Sequence, residues 1–571
     1  MTPGHMRRAV FAALVVVLLV RPWASGQRLA PIAPAPVEPA HVSDEIRRRI
    51  ERGDPAIGTP AQAGRAELKT LYESGGYEPI WLGADGRPDR DAREALGLLE
   101  RAAEDGLDPA GYHQSELSRL AAALARDPRS PAGDVAAFDV GLSAGTLRYL
   151  RDLHLGRVDP RAIGFRLTLP ADHHDFAVVL RAARADHRIA EIAAGLRPPL
   201  AQYAALRAAL ARYRVLAADE TLDLPPAVTV TVRPGDEYGG AAVLRRQLAA
   251  FGDLPPDAGT TPDASRYDGT LVDGLKRFQL RHGLKDDGAI GKGTLAALRV
   301  PLARRVRQIE LALERLRWLP HLGDQRLIVI NIPMFRLWAW DAIPADGPPA
   351  FAMDVIVGRR ALSTRTPVFV EQMREVIFRP YWNVPPSILR HEILPQLERD
   401  PDYLRRQRME IVRGPGDDAT PEGITAESIA ALRQGTLRVR QQPGPGNSLG
   451  LVKFVFPNDE AVYMHGTPLP QLFAQSSRDF SHGCVRVADP IALAEWVLQD
   501  QDGATWGRDR ILAATAGSQP LLVKLAQPIQ VILFYTTAAV MPEDGAIRFA
   551  DDIYGHDARL DRVLASGGPA R

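Results

Sequence analysis

The chain has 571 residues, too many for one hydrophobic core, so three or more domains are expected. Hydrophobic residues make up 46% and charged residues 24%, an ordinary globular balance, and 70 basic against 69 acidic side chains leave a formal net charge of +1. That neutrality argues against a whole-protein nucleic-acid or membrane-surface binder, which would need a large basic excess.

At the N-terminus Arg7 and Arg8 precede an apolar run from Ala9 to Val20, and Ala24-Ser25-Gly26 supplies small residues before Gln27. Residues 1–26 therefore read as a secretory signal, which implies export to the periplasm or cell envelope. The run is shorter than the roughly 20 residues a bilayer span needs, and Arg21 ends it, so the membrane is met only through this segment if it is retained. Pro31, Pro34, Pro36 and Pro39 among alanines make residues 27–42 an extended tether.

Residues 43–234 read as a helical domain starting at Ser43-Asp44-Glu45. Ala92, Leu96, Leu99 and Ala103 form one apolar stripe, and Tyr203, Leu206, Leu210 and Tyr213 another. Asp105-Gly106-Leu107-Asp108-Pro109 and Gly156-Arg157-Val158-Asp159-Pro160 are stop signals between helices. His173 and His174, flanked by Asp172 and Asp175, read as a solvated loop: neighbouring side chains point apart and no third ligand stands nearby, so no metal is expected.

Residues 235–300 read as three short helices, Ala241 to Phe251, a second carrying Leu271, Leu275 and Phe278, and Gly291 to Leu298, with Asp286-Asp287-Gly288 as a turn. Residues 301–325 contain an amphipathic connecting helix with Ile309, Leu313 and Leu316 on one side. From 326 to 535 strands dominate: Leu327 to Ile332, Phe335 to Trp340, Phe351 to Val357 and Val452 to Phe456 are short, β-branched or aromatic, and separated by turns such as Pro344 to Pro348. Residues 388–450 interrupt them with a polar, partly helical insertion that ends in the Gly444-Pro445-Gly446-Asn447 turn. Residues 536–571 read as a hairpin turning at Glu543-Asp544-Gly545 and a loose tail from Gly555.

Cys484 is the only cysteine. A solitary thiol in an exported chain cannot form an internal disulfide and points to chemistry. A thiolate nucleophile needs a base within reach, and His465 and His482 are the two candidates. His482 lies two positions before Cys484, so an extended segment puts them on one face, whereas His465 arrives only across a chain reversal. Sequence geometry alone does not choose between them.

The stretch Tyr463-Met464-His465-Gly466-Thr467-Pro468, followed by Phe480-Ser481-His482-Gly483-Cys484-Val485-Arg486-Val487, resembles the signature of the L,D-transpeptidases with the YkuD catalytic domain. The resemblance implies Cys484 as nucleophile, His465 as general base held by a backbone carbonyl just after it, and supporting roles for Ser481, His482, Gly483, Gly466 and Arg486. Gly483 and Cys484 amides are candidate oxyanion donors. Arg486 could orient the catalytic turn, hold a substrate carboxylate or form a structural ion pair. Tyr463 alternates with His465 as a wall of the site, and Arg379-Pro380-Tyr381-Trp382-Asn383 resembles a substrate-groove segment, making Trp382 and Asn383 candidate substrate contacts.

Tyr267 to Leu284 resembles a peptidoglycan-binding domain, and the helical region resembles the scaffold domain of large, YcbB-like family members. The implied fold is multidomain α+β: a helical scaffold domain, a small three-helix peptidoglycan-binding domain, and a β-rich YkuD-type catalytic domain whose insertion caps the active site. The implied activity is cysteine acyl transfer on peptidoglycan stem peptides and glycan, with no metal and no cofactor, forming 3→3 cross-links and open to acylation by carbapenems. Other cell-wall synthases are candidate partners, and nucleic acid is not. A hydrolytic L,D-carboxypeptidase, an enzyme attaching envelope proteins to peptidoglycan, and a non-catalytic murein-binding scaffold are the competing readings; intact Cys484 and His465 argue against the last.

Overall fold

The computed structural model describes residues 39–52, 62–167, 174–255, 265–319, 322, 325–342, 347–499, 501 and 506–566. The expected signal, most of the tether, His173 and most of the Pro344 to Pro348 turn lie outside these residues. Among the described residues no helix is long and apolar enough to cross a membrane.

The helical region is built around Ala132–Leu155, a helix apolar on nearly every side, with Val135, Phe138, Leu142, Leu147, Leu150 and Leu153 all buried. Such a helix is stable only when covered all round. Pro39–Arg52, Gln62–Glu73, Arg90–Glu100, Gln114–Arg126 and Phe176–Ala185 supply the cover and share its core. The buried Asp139 is answered by the Tyr72 hydroxyl at 2.5 Å and the Ile80 and Trp81 amides at 3.0 and 2.9 Å.

Two details depart from the sequence reading. The first helix begins at Pro39 and not at Ser43, because a proline lacking its N–H suits an opening turn. The stripe near residue 100 is centred on Ala92, Ala95, Leu98 and Leu99 with Leu96 packed at its side, and Ala103 falls outside it because the α-helix stops at Glu100 and a 3-10 turn over Arg101–Asp105 rotates the following side chains.

The face Tyr203, Leu206, Leu210 and Tyr213 of helix Ala201–Ala218 is buried as read. Its partners are helix Leu302–Leu316 and the outside of the β-structure, so this helix joins the two halves of the molecule. Helices Ala241–Phe251, Gly269–Arg281 and Lys292–Leu298 enclose a separate small core of Leu244, Leu248, Leu271, Leu275, Phe278 and Leu298. Arg281 fixes this unit, bonding Asp253 within it (2.8 Å) and the Ile547 carbonyl outside it (3.1 Å).

Fifteen strands follow among the described residues. They are β1 Leu327–Asn331, β2 Arg336–Trp340, β3 Phe351–Gly358, β4 Phe369–Phe378, β5 Trp382–Asn383, β6 Met409–Arg413, β7 Thr420–Glu422, β8 Arg438–Gln441, β9 Val452–Val455, β10 Met464–His465, β11 Asp479–Ser481, β12 Val485–Val487, β13 Leu521–Phe534, β14 Ala538–Val540 and β15 Ile547–Phe549. The main sheet runs β11-β3-β12-β10-β9-β4-β13-β1-β2, and β2 pairs back onto β3, closing it into a barrel. Its core holds Ile328, Ile330, Val355, Val357, Phe378, Phe454, Met464, Val485 and Val531. β4 has no counterpart in the sequence reading. Its buried residues change phase between Met373 and Val376, beside a register shift against β13, so the period of two breaks mid-strand.

The insertion is partly helical as read, and beyond that reading it is a folded subdomain with a sheet and a core of its own. β5, β8, β6 and β7 form a four-stranded sheet, and helices Leu394–Arg399 and Ala426–Gln434 cover a core of Val384, Ile388, Leu404, Ile411, Leu432 and Val439. Apolar residues isolated along the sequence are gathered by the sheet. The tail is likewise not loose: His556–Ala565 is a helix with Leu560 fully buried, tied by Asp557 to the buried Arg315 at 2.5 Å.

Candidate active site

Three adjacent strands carry the site. Lys453 on β9 lies opposite His465 across an antiparallel pairing, and Arg486 on β12 lies opposite His465 across a parallel one. Residues opposite one another share a sheet face, so Lys453, His465 and Arg486 form a row on one side of the barrel wall. Two positions earlier on their segments, Tyr463 and Cys484 form the next row, joined by the Val485 amide donating to the Tyr463 carbonyl at 3.1 Å. The Tyr463 ring centroid is 5.6 Å from that of His465 and 4.0 Å from Lys453 Nζ.

The turn before β12 is set by its own residues. Gly483 has φ +121°, a conformation that L side chains rarely adopt. Ser481 Oγ donates to the Cys484 carbonyl (2.5 Å) and accepts from the Gly483 amide (3.1 Å). The Gly483 amide, one of the two expected oxyanion donors, is therefore already engaged. From outside, Thr366 Oγ1 donates to the Gly483 carbonyl and accepts from the Gly358 amide, both at 2.8 Å. Tyr554 completes this brace, its hydroxyl donating to the Gly358 carbonyl at 2.5 Å and accepting from the Thr366 amide at 3.2 Å.

His465 is 4% exposed and its Nδ1 meets the Gly466 carbonyl at 2.6 Å. A carbonyl only accepts, so Nδ1 carries the proton and Nε2 keeps its lone pair. Burial first, and then the Arg486 cation, push the imidazolium form down to about 3; the Gly466 carbonyl resists, and Lys453 adds to the push. His465 is thus a neutral imidazole across the physiological range.

Cys484 is half-buried, with Sγ 3.9 Å from the Ala461 carbonyl. Burial pushes its thiol up, while the Tyr463 backbone, the Lys453 cation, the Tyr463 hydroxyl and the Arg486 cation pull it back. Burial also raises Tyr463, which therefore stays a neutral donor. Arg486 Nε is buried without a hydrogen-bond partner, and among the described residues no carboxylate lies within ion-pair distance of Arg486. The structural ion-pair reading of Arg486 therefore fails.

His482 points away from this row to the insertion, its Nε2 2.6 Å from Glu392 Oε1. Trp382 and Asn383 form β5 of that same subdomain. Trp382 packs on its core, and the Asn383 side chain donates to Asp417 (3.0 Å) and accepts from Arg438 (3.2 Å). The structure thus gathers Cys484, His465, Tyr463, Arg486, Gly466, Gly483 and Ser481, and leaves Trp382 and Asn383 on the cap. Lys453, Thr366, Tyr554 and Glu392 were missed. Of these only Lys453 carried a signal, a lone cation inside the otherwise apolar run Leu451 to Phe456.

Comparison with known proteins finds three domain matches along the chain. Residues 325–513 match the L,D-transpeptidase catalytic domain (YkuD), residues 66–210 a scaffold domain, and residues 240–298 a "Putative peptidoglycan binding domain". A protein of Haemophilus influenzae (strain ATCC 51907 / DSM 11121 / KW20 / Rd) named "Putative L,D-transpeptidase" is 33% identical over 248 residues, covering 43% of this chain and 47% of that protein. The match thus spans about half the length of the curated relative. With a YkuD barrel behind a scaffold domain and a peptidoglycan-binding domain, the chain belongs to the L,D-transpeptidase family, in its large YcbB-like form.

Proposed function

We propose that the protein is a peptidoglycan L,D-transpeptidase of the cell envelope that joins two stem peptides through Cys484. The observation that carries this is the two-row platform, which sets a neutral, carbonyl-held His465 on the strand beside Cys484. In the first half-reaction the Cys484 thiolate attacks the carbonyl joining the third stem residue, diaminopimelate, to the terminal D-Ala. The C–N bond breaks as the leaving amine takes the proton that His465 Nε2 has carried from the thiol, D-Ala departs, and a thioester remains. With the Gly483 amide held by Ser481, the Cys484 amide is the candidate donor to the tetrahedral oxyanion.

In the second half-reaction the side-chain amine of another stem's third residue attacks the thioester, and His465 Nε2 accepts its proton. A 3→3 cross-link forms and the thiolate is restored. A neutral imidazole suits this step because its lone pair is available at the pH where the amine attacks. The contact between Glu392 and His482 ties the insertion to the catalytic turn and supports a role for it as a cap that excludes water from the thioester. Residues 235–300 hold the glycan in this reading, and residues 43–234 act as scaffold.

The test is mass analysis of products after incubating the purified protein with tetrapeptide muropeptides. Cross-linked dimers are the expected outcome. Tripeptides alone would make it a carboxypeptidase, and unchanged substrate would favour a non-catalytic scaffold.

A further inference from the structure

We propose that Lys453 is a positioning residue for the reaction: its ammonium group, packed against the Tyr463 ring, supplies positive potential that favours the thiolate of Cys484 against the burial that opposes it. The inference rests on Cys484 being the nucleophile. In many cysteine enzymes the counter-charge is a protonated histidine. That arrangement is disfavoured here, because His465 stands between two cations of its own row and is buried. A thiolate in this site therefore needs its positive partner elsewhere.

Two groups can serve, and they differ in setting. Arg486 belongs to the catalytic turn segment and has the like charge of Arg359 beside it. Lys453 comes from another strand, and among the described residues no carboxylate lies within ion-pair distance of it. Burial disfavours its ammonium form, and Cys484, then Asp417 in the insertion and Glu375 on β4, favour it through space. His482, the remaining titratable group of the turn, is engaged with Glu392. Lys453 thus keeps its charge unneutralised by contact, next to the tyrosine whose hydroxyl reaches the thiol. Coulomb attraction in a desolvated site is worth far more than in water, so one such cation is enough to change the thiolate population.

The division of labour follows. Lys453 stabilises negative charge on sulfur, Tyr463 orients it, and His465 is left free to carry protons. The experiment uses the full chain and iodoacetamide, which alkylates the only thiol and needs no stem peptide. The rate against pH gives the midpoint of thiolate formation in the wild type and in Lys453→Met, Lys453→Gln and Lys453→Arg. Loss of the charge in the Met and Gln variants should raise the midpoint by about one pH unit and slow alkylation at pH 7 about tenfold, with Arg restoring most of both. The Gln variant decides the matter if Met at this buried position prevents folding. A wild-type midpoint in the folded neutral variants, or an Arg variant as impaired as they are, overturns the proposal. Failure of the nucleophile reading would show separately, as cross-linking that survives Cys484→Ala.

Discussion

Replacing His465 with glutamine should flatten the acid branch of the protein's stability curve. The buried imidazole titrates near 3 in the folded chain, against an ordinary value of about 6.5 when unfolded. As the pH drops below 6.5 the unfolded chain takes up a proton that the folded chain refuses, so stability complete above 6.5 is lost as the pH falls toward 3. Linkage puts the loss at about 2 kcal/mol at pH 5 and close to zero at pH 7.5. Glutamine has no such proton to bind. Buried His282 and His556 contribute slopes of the same sign, and Asp139 and Asp152, raised to about 6, oppose them. These are common to both proteins and cancel in the difference. Guanidinium unfolding of the catalytic domain, followed by tryptophan fluorescence at pH 7.5 and 5.0, measures the gap between wild type and variant. The gap should narrow by about 2 kcal/mol at pH 5. A gap that does not change with pH would mean that His465 is not held neutral by its surroundings.

Cys484→Ala should abolish product formation while shifting the thermal midpoint by only a degree or two, since a half-buried thiol contributes little packing; turnover in that variant would remove the thiol mechanism. Carbapenems should leave one adduct per chain by intact mass, absent from Cys484→Ala, and an adduct surviving that change would move the nucleophile elsewhere. Leu404→Ala, in the core of the cap, should cost about 2–5 kcal/mol of local stability and raise hydrolysed tripeptide relative to dimer while acylation continues. A constant product ratio in a cap shown to be loosened by hydrogen exchange would mean that the cap is no water gate.

The catalytic-domain motif was the most legible part of the sequence because its residues sit close together: His465, Ser481, Gly483 and Cys484 lie within 20 positions. Short apolar strands such as β1 and β9 were readable for a similar reason, their pattern being local. β4 escaped because a register shift changes its phase midway. The sheet and core of the insertion escaped because Leu404, Ile411, Leu432 and Val439 are scattered among charged residues, and only strand pairing brings them together. Thr366 and Tyr554 were beyond reach altogether, lying 118 positions before and 70 after Cys484. Lys453 was hidden by a different effect: one cation in a strand ordinarily faces water.

The pairing of β1 with β13 sets the order in which the barrel can form. β13 lies between β4 and β1, bonded to one antiparallel and to the other in parallel, with Leu327 opposite Gln530. Until residue 534 is available, β4 and β1 each present an open edge and the wall behind the catalytic rows has a gap. Contacts this distant along the chain form slowly, because about 200 intervening residues must first be brought to closure. A chain emerging from its N-terminus thus holds its helical region complete while its barrel is still open. The wall closes last, when β13 covers the open edges of β4 and β1 that could otherwise pair with a neighbour.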